Sequence, residues 1–114
     1  MKISTIADIL NAQVYSSKEL LDGEVHSACG SDMMSDVLAY VKHQAVLLSG
    51  LVNTQVVRTA DMMDMRCIVM VRNKVPTEEM IRLAEESGIV LLSTACRMYE
   101  ACGLLYEKGL GKEG

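Results

Sequence analysis

From residue 45 onward the chain alternates between two kinds of pattern. The stretches AVLLS (45–49), CIVMV (67–71) and IVLLS (89–93) are continuous apolar runs of about five residues, as strands buried on both faces read. Between them lie segments with helical spacing. Around 53–64, Val56, Val57, Ala60 and Met63 point inward; around 77–87, Met80, Leu83 and Ala84 do, with Glu78 and Arg82 as an outward i, i+4 pair. Pro76 stands where a helix starts and Gly88 where one ends. A last helix is predicted over about 95–107, capped by Thr94, with Met98, Ala101, Cys102 and Leu105 inward.

The first forty residues are less regular. Ile6, Ile9 and Leu10 share one helical face, with Ser4 or Thr5 as cap. AQVY (12–15) and EVHSAC (24–29) read as short strands around a connection holding the Asp22-Gly23 turn signal. Met34, Val37, Leu38 and Val41 form the stripe of a further helix, with Ser31 or Asp32 as its cap. Strands alternating with helices over short connections imply parallel pairing and helices on both faces. The expected fold is an α/β, three-layer single domain with a mainly parallel sheet, spanning residues 1–110 before a flexible tail at 111–114.

Composition narrows the function. The net charge is −4, no basic stretch occurs, and the four Tyr stand without any Phe or Trp. A nucleic-acid partner is therefore not expected. No segment has the run of about 18 apolar residues that a membrane span needs, and the N-terminal stretch is too short and too polar for a signal peptide. Cys29, Cys67, Cys96 and Cys102 include no C-x-x-C pair, so reduced thiols in a cytoplasmic protein are expected, with no redox role assigned to any of them.

In an open parallel sheet, ligands sit beyond the carboxyl ends of the strands. Those ends collect Gly30, Ser31 and Asp32, then Ser49, Gly50, Asn53 and Thr54, then Arg72 and Lys74, and finally Thr94. Glycines allow close approach, Ser, Thr and Asn lie near helix N-termini that favour anions, and Arg72 and Lys74 are cations at the same edge. A nucleotide or small anion fits this set. Caps and turns use the same residue types, and the Ser49–Thr54 corner is read first as a helix cap.

No catalytic or metal constellation is spelled out. EKGLGKEG near the C-terminus has Tyr106 where a P-loop needs Gly and Glu113 where it needs Ser or Thr, and SGLVN lacks G-x-G-x-x-G. His26 and His43 stand apart from other ligands, Cys96 and Cys102 turn to different faces of one helix, and Asp61 and Asp64 read as a solvated face. No metal site and no catalytic residue is expected, and the sequence leaves any cofactor unknown. The nine Met include Met33, Met62 and Met65 as surplus apolar side chains, pointing to a homodimer interface.

Two phrases, VVRTADMMDMRCIVMVRNKVPTEEMIRLAEESGIVLLST and the closing TACRMYEACGLLY, resemble the DRTGG domain family over nearly the whole chain. They carry a Lys74-Val75-Pro76 corner, an acidic helix and a strand from Gly88 to Thr94. The signature Asp-Arg-Thr-Gly-Gly is replaced by Ser49-Gly50-Leu51-Val52-Asn53, which lacks both charges, so no charge-based role carries over to that corner. The resemblance implies a fold like the N-terminal domain of HPr kinase/phosphorylase. It also implies a regulatory or binding module rather than an enzyme; together with the surplus methionines, the expected function is a homodimeric regulatory or scaffolding module acting on a partner protein. In bacteria such modules occur beside CBS pairs in pyrophosphatases, beside phosphotransacetylase domains, or alone alongside hydrogenase and redox-complex proteins. Ligand sensing is the alternative it leaves open.

Overall fold

The computed structural model describes residues 1–40 and 44–112; Val41, His43 and Glu113 lie outside them. The elements run α1 (Ile3–Leu10), β1 (Gln13–Val14), a 3-10 turn (Lys18–Leu20), β2 (Ser27–Gly30), α2 (Met34–Tyr40), β3 (Ala45–Ser49), α3 (Thr54–Met62), β4 (Cys67–Met70), α4 (Glu78–Ser87), β5 (Val90–Ser93) and α5 (Met98–Glu107). The sheet order is β1-β5-β4-β3-β2. β2 through β5 are parallel, with Leu47 opposite Ile68 and Ile68 opposite Leu91, while β1 joins β5 antiparallel. The two short early strands thus occupy opposite edges of one sheet.

The three apolar runs form the inner strands because their backbone bonds are met on both sides and their side chains on both faces. Alternation divides these side chains between two cores. Val46, Leu48, Val69, Val90 and Leu92 meet Ile3, Ile6 and Leu10 of α1 and Ala101 and Leu105 of α5. Leu47, Ile68, Met70 and Leu91 meet Met34 and Val37 of α2, Val56, Val57 and Ala60 of α3, and Met80 and Ala84 of α4. Three layers result, two helices on one face and three on the other.

Some local expectations are corrected. α1 starts after Lys2 and uses no side-chain cap, because the Ile3 and Ser4 amides donate to the carbonyls of Gly23 and Leu21. α5 begins at Met98 rather than near 95, for Thr94 is engaged elsewhere: its hydroxyl donates to Leu10 O (2.7 Å) and accepts from the Cys96 amide (3.2 Å). Leu38 is exposed, and α2 reaches the core through Met34 and Val37. Met65 is buried at 1 % exposure and is therefore not an interface residue. Asp64, with φ +56°, reverses the chain after α3, and the Met65 amide bonds back to Ala60 O, turning the side chain inward. α4 follows the expected scheme, with Thr77 accepting from the Met80 amide and Gly88 closing the helix at φ +69°, where a Cβ would be strained.

Candidate functional site at the carboxyl edge of the sheet

The strand order brings the ends of β2, β3 and β4 side by side, so residues far apart in sequence converge there. Asp32, just past β2, turns across the end of β3. Its Oδ1 accepts from the Gly50 amide (2.7 Å) and from Ser49 Oγ (3.2 Å). Its Oδ2 meets Arg72 Nη2 at 3.2 Å. The backbone hydrogen bond from Gly50, aided by the Arg72 and Ser49 contacts and opposed by partial desolvation, holds the Asp32 carboxyl below its ordinary value.

Arg72 reaches this position from an uncommon backbone. Arg72 and Asn73 both have φ +59°, two successive left-handed residues between Val71 and Lys74, as in a type I′ turn. Such a conformation is unfavourable for arginine and persists only where its surroundings enforce it. Here the Arg72 amide donates to Cys96 O (2.7 Å), the Asn73 amide to Thr94 O (2.9 Å) and the Lys74 amide to Val71 O (3.2 Å). The guanidinium then lies directly on Gly50, where a Cβ would collide with it. Gly50 is required because the protein's own arginine rests on it. The Ser49-Gly50 corner is a clasp across three strand ends, closed by Asp32 and Arg72.

Of the other residues expected at this edge, Ser31 accepts the Met33 amide (2.9 Å) and Asn53 caps α3 by accepting the Gln55 amide (2.8 Å), with Thr54 opening the helix. Lys74 is exposed, while its carbonyl takes the Ser93 hydroxyl (2.6 Å). Thr94 is buried in the tie to Leu10. Gly30 faces away from the clasp, where a Cβ would come within 2.8 Å of Cys102 Sγ and 3.1 Å of Met98 Sδ. Asp32, Ser49, Gly50 and Arg72 therefore form one cluster, and the remaining residues serve turns, caps and packing around it. The Asp32–Arg72 pair, 40 positions apart, has no local sequence signal.

Among the described residues no three His, Cys, Asp or Glu side chains converge as a metal site would require. Asp61 and Asp64 both reach Arg66 (3.4 and 3.2 Å), a pair of carboxylates around a cation. Burial pushes the Cys29, Cys67 and Cys102 thiols up, and Cys102 and Asp36 add to the effect at Cys29. Thiols held in the neutral form are poor nucleophiles. Iodoacetamide should therefore alkylate Cys29 and Cys102 more slowly than free cysteine at neutral pH; mass-spectrometric rates at or above that of the free amino acid would contradict this.

A second feature lies away from the clasp. A groove of about 820 Å³ runs between the outer edge of β2 and α5, lined in part by Ala28, Gly30, Cys102, Gly103, Glu100 and Glu107. Tyr99 and Tyr106 stand on its wall, 92 % and 61 % exposed. No helix among the described residues is long and apolar enough to cross a membrane.

Fold and cluster together define a three-layer α/β domain whose sheet end is closed by its own ion pair. No protein-family model matches the sequence, and no curated protein is significantly similar to it. A solved structure is: the crystal structure of the CBS and DRTGG domains of the regulatory region of Clostridium perfringens pyrophosphatase, complexed with the activator diadenosine tetraphosphate. The TM-score is 0.73 at 16 % identity, over 91 % of this chain. The chain spans 45 % of that structure's length. The likeness supports a DRTGG-like fold.

Proposed function

We propose that this protein is a non-enzymatic regulatory module, homodimeric, that acts by binding a partner protein. The observation that carries the proposal is that the carboxyl edge of the sheet is filled from within. The Gly50 amide, which could have cradled an anion, is taken by Asp32, and the arginine that could have met one is paired. Apolar side chains meanwhile remain at the surface. Met33, Leu38 and Met62 are exposed on the α2–α3 layer at 61 %, 44 % and 73 %, which supports a second copy on that layer. Resemblance in fold to part of a regulatory region favours regulation over catalysis.

Ligand sensing is the second reading, favoured by one observation. Arg72 and Asp32 remain 43 % and 44 % exposed, so an anion can compete for the guanidinium if Asp32 swings away. A nucleotide-type activator accompanies the structurally similar regulatory region, which places that class of compound first among those to try.

Light scattering of the purified protein should return twice the mass of the 12.5 kDa chain, falling towards one chain in a Met33→Asp, Met62→Asp variant. A monomer at all concentrations, or a dimer indifferent to both substitutions, would remove the homodimer from this reading.

A further inference from the structure

We infer that the groove between β2 and α5 receives an extended, lysine- or arginine-bearing segment of a partner protein, added to the sheet as a strand beside β2. The inference rests on the reading of the chain as a partner-binding module and names the chemistry of one such partner.

Backbone pairing comes first. β2 bonds β3 on one side, and the Ser31 amide donates to Leu48 O. By the alternation of a parallel ladder, the odd-numbered residues of β2 face β3, and Ala28 and Gly30 direct their N–H and C=O groups to the open edge. Both residues are exposed. Natural sheet edges are commonly blunted by charge, proline or a bulge. The sequence Ser-Ala-Cys-Gly has no charged side chain and no proline, so it presents small side chains and a docking-ready backbone.

The facing wall repeats this economy of bulk. Gly103 lies inside α5, where glycine costs roughly 1 kcal/mol relative to alanine. Beyond its own helical turn, nothing among the described residues comes within 4 Å of a Cβ built there, so packing within the domain does not call for glycine. Its lack of a side chain keeps the wall low between Tyr99 and Tyr106.

Charge selects the occupant. The acidic side chains lining the groove are Glu100 and Glu107, both exposed; His26 lines it just before β2, and no Lys or Arg is among the lining residues. The two glutamates lie seven residues apart, two helical turns along one face of α5. An added strand with Lys or Arg on the side facing α5 meets both carboxylates. A second copy is the poorer occupant, since an antiparallel pairing of α5 helices across Gly103 sets Glu100 near Glu107 of the other copy.

The test is a titration of the isotope-labelled full chain, followed by amide NMR, with two synthetic hexapeptides, one alternating lysine with valine and one alternating glutamate with valine. The lysine peptide should shift and protect the Ala28 and Gly30 amides and bind at least about tenfold more tightly than the glutamate peptide. Gly103→Leu, which fills the groove where the chain leaves open space, should abolish the shifts with the rest of the spectrum intact. Glu100→Lys combined with Glu107→Lys should reverse the charge preference. Equal affinity for both peptides, no shift at Ala28 and Gly30 with either, or shifts there that follow protein concentration alone would each overturn the inference, the last by making a second copy the occupant. A silent titration on a chain that still shows the dimer mass would remove the groove and leave the regulatory reading standing, whereas a monomer that binds the lysine peptide would do the reverse for the homodimer.

Discussion

Replacing Ile68 with alanine lowers the unfolding free energy by about 2–5 kcal/mol. Ile68 is fully buried in β4, the middle strand of the sheet, and packs among the side chains of the α2–α4 layer. Truncation removes apolar area and leaves a cavity that a sheet bonded on both sides is poorly placed to close. Domains of this size are stable by only about 5–15 kcal/mol, so the variant approaches the folding threshold. Val75→Ala, at a side chain 60 % exposed and away from the layer proposed for a second copy, should stay within about 0.5 kcal/mol of the parent. Urea denaturation checks both through the midpoint at constant slope. A cost at Ile68 no larger than that at Val75 would contradict the placement of β4 at the centre.

Asp32→Ala is expected to cost about 1–3 kcal/mol, the penalty for leaving buried donors without an acceptor. Two donors lose their partner, the Gly50 amide and the Ser49 hydroxyl, and both residues are buried. The ion pair contributes little of this, because both partners are over 40 % exposed and such pairs are worth about 0–1 kcal/mol. Arg72→Ala should accordingly cost less than Asp32→Ala, and Asp32→Asn, which keeps an acceptor oxygen, should fall between Asp32→Ala and the parent. The order inverts if charge rather than hydrogen bonding holds the corner. Acidity gives a further check. The folded Asp32 carboxyl titrates below its ordinary value, so its stabilisation is fully present above the unfolded carboxylate range near 3.9 and is lost as pH falls through the lower folded value. The Asp32→Asn variant should lack that part of the acid-induced loss, which paired melts on either side of that range will show.

The elements that were legible in the sequence are those whose pattern is local. Uninterrupted apolar runs mark strands buried on both faces, and β3, β4 and β5 fall within a residue or so of AVLLS, CIVMV and IVLLS. Helix ends that bond within their own turn were also readable, as at Asn53 and Gly88. What escaped depends on residues distant in the chain. Thr94 looks like a cap and instead ties the end of α1 to the loop before α5, 84 positions away. Met65 looks surplus to the helical stripe, yet a left-handed residue redirects it into the core. The candidate site was legible as a place, since a parallel sheet gathers its strand ends. Its state was not, because no single-sequence pattern says that Asp32 and Arg72 meet over Gly50. The β4-β3-β2 strand order would have suggested it, by setting an acid and a cation on either side of one glycine corner.

Thermal melting of the parent chain and Asp32→Ala against a panel of phosphate, nucleotides and dinucleoside polyphosphates tests most directly whether the corner is filled by its own carboxylate. Stabilisation by a ligand grows as RT ln(1 + [L]/Kd). The parent should show no shift across the panel, while Asp32→Ala, with the Gly50 amide and Arg72 released, gains stability with at least one anion. A shift of several degrees in the parent that Arg72→Ala abolishes would contradict the self-closed corner and make this edge of the sheet a ligand sensor.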